Sequence, residues 1–348
     1  MVLLHSERRG GAPAVASRWL WRLETLARGA GVEIASRPEL LDWTRDLDAP
    51  GQSAPAPRPR PTPPVSARPR EMSVTGVERW VRDPYGLYAR SILGLRPLER
   101  PGEPVEARAR GTAIHAAFEI FAKEHPEALP EAAHTVFATY LMQALNDAGM
   151  PRARLAREKA LATNVAPWVI DFETRRRDGA RLLVEQQGRL TFQTEAGEFV
   201  LTAKADRIEL RAESADVLDF KTGNPPSKKQ VEGGLAPQLT LTAAILRRGG
   251  FAGAGRTEAN DLVYVRVSGG RTPGLEIVRG GGAESPDLAE RALEGLRRLI
   301  SLYEDPTQPY LSWAAPQFIN QFPGDYDHLA RLWEWHVIGE GESEGGGE

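Results

Sequence analysis

A change of hydrophobic period near residue 180 constrains the fold more than any other feature of this 348-residue sequence. Before it, apolar residues recur at helical spacing, and after it three consecutive segments alternate with period two, as strands do. These segments are LLVEQQGRLTFQT, EFVLTAKADRIELR and ADVLDFKTG, joined at Glu195-Ala196-Gly197 and at Glu213-Ser214. A helix in LAPQLTLTAAILRRGG, a fourth strand in DLVYVRV and a long helix opened by Ser285-Pro286 follow. This succession of helices and strands predicts the α/β fold class.

The part of the chain before residue 180 is predicted to be helical, and candidate N-caps mark where several helices begin. Ser73 or Thr75 caps the helix in SVTGVERWVRDPYGLYARSILGL, and Thr112 caps the helix in GTAIHAAFEIFAKEH. Near the start of the chain, VLL suggests a short strand, and SRWLWRLETLARGAG suggests an amphipathic helix capped by Ser17.

Composition divides the chain into four parts. Residues 1–48 have a folded pattern, whereas residues 49–70, rich in Pro, Ala and Arg, are expected to be a disordered, polyproline-like linker. Residues 71–338 form the main domain, and the acidic, Gly-rich residues 339–348 are expected to be a disordered tail.

The bulk composition also excludes several kinds of chemistry. The sequence has no cysteine, so disulfides, thiolate zinc sites, iron–sulfur clusters and cysteine nucleophiles are excluded. The net charge of -3 argues against a uniformly basic nucleic-acid coat but not against a local basic groove. There is no apolar run of about 18 residues and no apolar stretch typical of a signal peptide, so we expect a cytoplasmic protein.

Two carboxylates and a lysine on adjacent strands form the most informative group. Asp206 lies near the middle of one strand, Asp219 lies near the end of the next, and Lys221 shares a strand face with Asp219. Like charges that converge are costly unless a cation lies between them. Carboxylate oxygens and the backbone carbonyl of Phe220 suit Mg²⁺, with Lys221 placed to stabilise negative charge on phosphorus. The group therefore predicts phosphodiester hydrolysis.

Other residues could join this site, and each also has an ordinary structural interpretation. Asp-x-Lys followed by Thr-Gly is also typical of a strand end and turn, and a lone helical histidine such as His115 is usually a surface or core residue. The further candidates are the accessory residues Glu119, Glu185 and Gln238, and the DNA-contacting residues Lys228 and Lys229 in a loop.

Together these residues resemble the RecB-type branch of the PD-(D/E)XK nucleases. The motif reads Gly111-Thr112-Ala-Ile-His115-Ala-Ala-Phe-Glu119, then Asp206, then Asp219-Phe220-Lys221-Thr222-Gly223, then Gln238. The resemblance implies a mixed central sheet flanked by helices, with an N-terminal helical subdomain. It also implies that His115, Asp206 and Asp219 are metal ligands for Mg²⁺, or Mn²⁺, and that Lys221 is the catalytic lysine. The family often has Gln-x-x-x-Tyr on the late helix, whereas Thr242 follows Gln238 here.

The flanking sequence resembles the AddB family of helicase–nuclease subunits. The resemblance rests on SVTGVERWVRDPYGLYARSILGL, on DYDHLARLWEW, and on GAPAVASRWLWRL, which looks like the close of a helicase-like region, with residues 1–48 as its remnant. It implies a DNA exonuclease that resects double-strand breaks for recombinational repair beside an AddA-like subunit, taking single strands delivered from duplex ends. An AddB subunit has long helicase-like domains before its nuclease, and these are missing here, so the sequence looks like a C-terminal fragment or a truncated gene product. The sequence has no G-x-x-x-x-G-K-[ST] loop, so it is not expected to be an ATP-driven motor by itself.

Many AddB-like proteins hold an iron–sulfur cluster with four cysteines around the nuclease domain. Here Asp83-Pro84 stands where the first cysteine is expected, so the resemblance implies a cluster-free type. Its C-terminal segment is then expected to be held by packing alone, with Phe318, Trp333 and Trp335 as candidates. The alternative function is a catalytically idle scaffold for DNA binding or partner docking, and the residues alone do not separate DNA from RNA as substrate.

Overall fold

The computed structural model describes residues 2–9, 11–49, 57–97, 106–319 and 324–336. The chain divides into two compact units, Met1–Pro55 and Ala56–Glu348. Among the described residues, no helix is both long and apolar enough to cross a membrane. The tail predicted over residues 339–348 lies outside the described residues.

The first unit consists of a two-stranded ribbon and two amphipathic helices. Its elements are β1 (Arg8–Arg9), β2 (Ala12–Pro13), α1 (Arg18–Gly29) and α2 (Glu39–Asp48). The cap predicted at Ser17 is confirmed, because its Oγ accepts a hydrogen bond from the N–H of Leu20 over 3.2 Å. The strand predicted at VLL is wrong, since those exposed residues pair with no strand in the part of the chain that the structure describes.

The second unit combines nine described α-helices and three short 3-10 or π turns with one mixed sheet. Its helices are α3 (Val74–Arg82), α4 (Pro84–Leu87), α5 (Glu106–Glu124), α6 (Ala133–Asp147), α7 (Arg152–Arg177), α8 (Lys228–Glu232), α9 (Gln238–Arg247), α10 (Glu284–Glu304) and α11 (Leu332–Trp335). Its strands are β3 (Glu71–Ser73), β4 (Arg181–Thr194), β5 (Gly197–Leu210), β6 (Ser214–Lys221), β7 (Glu258–Val267) and β8 (Gly274–Gly280). The predicted α/β class and the three consecutive strands are confirmed; the short β3 and the strand β8 were not predicted.

The sheet is organised around β5. On one edge β5 pairs antiparallel with β4 from Gly197 to Leu210, with Asp206 as the one residue of β5 outside this ladder. On the other edge it is shared, pairing in parallel with β3 over residues 200–202 and antiparallel with β6 over residues 207–210. β6 then pairs in parallel with β7, and β7 pairs antiparallel with β8. A gap in pairing is therefore left on β5 between its two partners.

Helices cover both faces of the sheet and bury two separate apolar layers. Side chains of α5, α6 and α7 pack with one face of β6 and β7, including Phe220 and Val265. Side chains of α3, α9 and α10 pack with the other face, including Val217 and Tyr264. The site described below lies at the point in the sheet where β5 and β6 stop pairing.

The N-cap predicted at Thr112 is wrong. α5 already includes Glu106, so Gly111 and Thr112 lie inside the helix. The physical reason is that the apolar face extends upstream, with Ala109 buried beside Ala113 in the same layer. Ser73 is the cap of α3, accepting the N–H of Gly76 over 3.0 Å.

The disordered linker predicted over 49–70 does not describe residues 57–70, which are part of the second unit and are bonded to its other segments. Arg68 is 6% exposed and donates hydrogen bonds to the carbonyls of four residues, namely Pro63, Tyr303, Asp305 and Pro306. Arg58 donates to the carbonyls of Ser312 and Trp313. Proline-rich backbone cannot bury itself through its own apolar surface, but here two guanidinium groups satisfy carbonyls of the domain. Residues 50–56 lie outside the described residues.

The C-terminal segment is held by polar contacts as well as by packing, so the expectation of packing alone is wrong. Asp83 accepts the N–H of Trp313 over 2.9 Å, and Asp327 accepts the indole N–H of Trp313 over 2.7 Å. Phe318 is buried and Trp335 packs partly buried beside it, as predicted. Trp333 is 61% exposed and takes no part in this cluster, because it lies on the solvent side of the four-residue helix α11, opposite the buried Leu332.

Candidate active site

The two predicted aspartates lie where β5 and β6 separate. Arg207 and Leu218 are the last residues that pair between these strands, so Asp206 and Asp219 occupy the next opposed positions. There the ladder is replaced by a side-chain contact, because the N–H of Phe220 donates to Asp206 Oδ2 over 2.9 Å. The N–H and C=O of one strand residue point to the same edge, so the Phe220 carbonyl also faces the side of Asp206.

His115 reaches the same point from α5. Its Nδ1 lies 3.3 Å from Asp206 Oδ2. One turn further along the helix, the Phe118 ring stacks on Phe220 with centroids 4.1 Å apart, and the His115 ring meets Phe220 edge-on at 6.1 Å. Packing of Phe220 thus fixes the histidine-bearing face of α5 against the end of β6.

Glu185 completes a third side of the group. The β4–β5 register is constant around it, with Val184 opposite Arg207 and Gln186 opposite Ala205, so Glu185 stands opposite Asp206. Its backbone has a φ of 52°, in the left-handed region that a non-glycine residue adopts only at a cost. Ligand atoms of His115, Glu185 and Asp206 all lie within 4.8 Å of one another. Glu185 also forms an ion pair with Lys204 at the rim.

Asp219 sits beside this group and is held by two neighbours. Gln238, the first residue of α9, donates its amide N–H to Asp219 Oδ1 and accepts from Lys221 Nζ at 3.1 Å. Lys221 Nζ lies 2.6 Å from Asp219 Oδ2 as an ion pair. The buried Oδ2 nevertheless accepts no hydrogen bond of acceptable angle from the described residues.

Burial and mutual repulsion set the charge states at this site. Burial, reinforced by the charge of Asp206, raises the pKa of Asp219 to about 7. Burial lowers the pKa of Lys221, but the charges of Asp219, Asp206 and Glu78 outweigh it, and the net pKa is raised. Burial also lowers the pKa of His115, but the hydrogen bond and the charge of Asp206 together outweigh burial, so the pKa of His115 is raised overall. The site thus carries excess negative charge that attracts cations.

Sequence reasoning missed two residues beside Lys221. Tyr264, opposite Asp219 in the parallel ladder with β7, places its ring under Lys221, with Nζ 5.7 Å from the centroid. Glu78 on α3 adds a negative charge that acts on Lys221. Burial raises the pKa of Glu78, although its ion pair with Arg82 at 2.7 Å opposes this. Only the long-range packing of α3 onto the sheet brings Glu78 here, and no local motif signals it.

Three predicted candidates lie away from the central group. Glu119 is one turn beyond His115, but it pairs with Lys123 at 2.6 Å. Lys228 and Lys229 belong to the capped helix α8 rather than to a loop, since Ser227 and Gln230 form a capping box. Lys228 pairs with Glu284 at 3.0 Å, whereas Lys229 is exposed and has no acidic partner among the described residues. Of the accessory candidates, Glu185 and Gln238 are brought into the site and Glu119 is not.

The donor set fits a divalent cation of the Mg²⁺ type. The atoms are carboxylate oxygens, one imidazole nitrogen and one backbone carbonyl, and hard oxygen ligands are those that Mg²⁺ and Mn²⁺ prefer. One observation favours a cation over a purely structural cluster. Carboxylate oxygens of the like-charged Asp206 and Glu185 lie within 4.8 Å of each other and of a His115 ring nitrogen.

Comparison with known proteins identifies the class. The sequence profile of the PD-(D/E)XK nuclease superfamily matches residues 71–312, and the chain belongs to this superfamily. An uncharacterized protein of Rickettsia conorii is 28% identical over 208 residues, covering 56% of this chain and 23% of that protein. One from Rickettsia felis is 29% identical over 197 residues, covering 53% and 22%. The chain thus spans less than a quarter of the length of these curated relatives.

The crystal structure of SSO0001 shares 12% identity over 67% of this chain and 77% of that chain, at a TM-score of 0.29.

Proposed function

We propose that the second unit hydrolyses phosphodiester bonds in DNA with the help of Mg²⁺ or Mn²⁺. One observation carries the proposal. Asp206 and Asp219 meet at the divergence of β5 and β6, with His115 on one side and Lys221 on the other. Membership of a superfamily whose members are generally nucleases supports the same reaction.

Within this proposal, His115, Asp206, Asp219 and the Phe220 carbonyl hold the cation, and Glu185 adds a carboxylate. The cation, when bound, would polarise the phosphate and lower the pKa of a coordinated water. The protein's part is to hold these ligands in place: the Phe220 N–H orients Asp206, and Gln238 orients Asp219. Ligands held by hydrogen bonds need little reorganisation when the substrate arrives.

Lys221 supplies the positive charge for the transferring phosphate. Its ammonium is fixed between Asp219 and the amide oxygen of Gln238, over the ring of Tyr264. With its pKa raised, Lys221 stays protonated at neutral pH and donates to phosphate oxygens as their negative charge grows. A lysine held this way acts as a fixed electrostatic stabiliser rather than as a base.

We further propose that this nuclease is an exonuclease module of the AddB type. The support is the motif order and the AddB-like flanking sequence around Ser73 and Asp325. In this role an AddA-like subunit would deliver single strands from broken duplex ends. Co-purification with an AddA-like subunit, followed by cleavage of duplex ends with ATP, tests the partnership; a nuclease indifferent to that subunit contradicts it.

Cation binding tests the site separately from cleavage, and it also separates an enzyme from an idle scaffold. We expect calorimetry with Mn²⁺ to show binding that Asp206→Asn weakens at least about tenfold, as loss of a charged ligand does. Glu119→Gln is the matched control, since Glu119 pairs with Lys123 outside the ligand group. Equal Mn²⁺ affinity in Asp206→Asn and wild type contradicts the assigned ligands.

A further inference from the structure

A second positively charged side chain, that of Arg266, lies next to Lys221 on the same face of the sheet. In the parallel ladder between β6 and β7, Asp219 pairs with Tyr264 and Lys221 pairs with Arg266. Paired residues of neighbouring strands point to the same face, and the position of Lys221 Nζ over the Tyr264 ring confirms this locally. Arg266 therefore continues the row of side chains that carries the proposed catalytic lysine.

Arg266 has no acidic partner. It forms no ion pair and donates no hydrogen bond to any residue in the described part of the chain, and its Nε is buried without a partner. By contrast, Arg207 on β5 lies 2.6 Å from Glu173, and Arg176 on α7 lies 2.7 Å from Glu276. A buried N–H of a charged group without an acceptor is costly, so an acceptor supplied from outside would be bound favourably.

The chemistry of an arginine in this position favours a phosphate. Its planar fork of N–H donors matches two oxygens of a phosphate, and the pairing is stronger than one between neutral groups. Lys221 beside it is already held by Asp219 and Gln238, so Arg266 is the cation of this pair whose charge is not balanced. A DNA strand that enters the site from the ends of β6 and β7 would bring one backbone phosphate to Arg266 and the next to Lys221.

We propose that Arg266 binds a backbone phosphate of the DNA strand, adjacent to the phosphate that is cut. This inference rests on the proposed nuclease function. A phosphate contact fixes the register of the strand without reading its bases, so the effect is independent of sequence. It also adds to ground-state and transition-state binding alike, so its loss changes KM more than kcat.

The experiment compares Arg266→Gln with Arg271→Gln. Arg271 is an exposed arginine in the loop after β7 that also lacks an acidic partner among the described residues, which makes it a control for net charge. Binding of a labelled single-stranded oligonucleotide is measured in EDTA at several salt concentrations, and cleavage is measured in Mg²⁺. For Arg266→Gln we expect about tenfold weaker binding, a salt slope smaller by about 0.7, and a KM raised about tenfold. We expect Arg271→Gln to match wild type.

Wild-type affinity and salt slope in Arg266→Gln overturn the inference, as does an equal loss in both variants, which would reflect net charge alone. Should Arg266→Gln fail to fold, Arg266→Lys carries the test, because it keeps the charge without the planar fork. We then expect about a threefold loss of affinity with an unchanged salt slope, and wild-type affinity overturns the inference. A wild-type protein that binds DNA without cutting it contradicts the proposed function while leaving the binding comparison valid. A protein that cuts DNA with Arg266→Gln unaffected contradicts only the role of Arg266.

Discussion

Asp206 accepts the backbone N–H of Phe220 over 2.9 Å, at the first position where β5 no longer pairs with β6. This contact links the carboxylate of one strand to the backbone of the next, one residue before Lys221. It also explains how two acidic side chains can stay together at the end of a sheet. The backbone group that a ladder would have satisfied is satisfied by Asp206 itself.

Glu185 is predicted to lower the free energy of unfolding of the protein and to strengthen its binding of a cation. Its left-handed backbone and its place opposite Asp206 both disfavour the folded state. We expect Glu185→Gly to raise the free energy of unfolding by about 1 kcal/mol, since glycine adopts this φ freely. The same change should weaken Mn²⁺ binding about tenfold. Urea unfolding and calorimetry measure the two effects.

Glu185→Gln is the control for this pair of effects, since it removes the charge but keeps the backbone cost. It should lose Mn²⁺ affinity without gaining as much stability as glycine. A Glu185→Gly variant that is less stable than wild type and binds Mn²⁺ normally would show that neither role is correct.

Arg68 is predicted to hold the proline-rich segment as part of the domain. Its five hydrogen bonds go to backbone carbonyls and join this segment to the end of α10 and the residues that follow it. We therefore expect Arg68→Ala to lower the free energy of unfolding by about 3 kcal/mol. Arg60→Ala, at an exposed position of the same segment, should change it by less than about 0.5 kcal/mol. Equal effects in chemical denaturation would mean that the segment is not anchored by Arg68.

Protonation of Asp83 is predicted to contribute to the pH dependence of the free energy of unfolding. Burial raises the pKa of its carboxyl to about 6, even though the N–H of Trp313 donates to it. Because the folded state holds this proton more tightly than the unfolded chain, the contribution is fully present below about pH 4. It is lost as pH rises through about 6.

Asp83→Asn cannot titrate, so the stability of wild type relative to this variant should fall between pH 4 and pH 7, by on the order of 2 kcal/mol. Thermal unfolding of both proteins across that range provides the measurement. A stability difference between wild type and Asp83→Asn that does not change with pH would show that Asp83 does not take up a proton in this range.

The local parts of this site could be read from the sequence, whereas the parts made by distant segments could not. The strands that carry Asp206, Asp219 and Lys221 are adjacent in the chain, and their alternation and short turns fix which residues meet. Gln238 could be placed on its helix because the apolar pattern of LAPQLTLTAAILRRGG is also a local signal.

Contacts between remote segments leave no such periodic signal. Glu78 reaches Lys221 only because α3 packs against the sheet. The pairing of Lys221 with Arg266 depends on a parallel crossover through residues 222–257. Composition was misleading at residues 57–70, since a proline- and arginine-rich segment ordinarily lacks a partner. Here Arg58 and Arg68 find one in carbonyls near residues 303–313.

Cleavage of labelled single-stranded DNA by wild type, Asp219→Asn and Lys221→Ala, in Mg²⁺ and in EDTA, tests the central claim most directly. Asp219 and Lys221 form an ion pair, with 2.6 Å between Asp219 Oδ2 and Lys221 Nζ. We expect cleavage by wild type in Mg²⁺ and none in EDTA, with a loss of at least about a hundredfold in each variant. Lys123→Ala, on the outer surface of α5, should cleave at the wild-type rate. Cleavage that persists in EDTA, or that is unchanged in Asp219→Asn and Lys221→Ala while both remain folded, would contradict the assignment of this site.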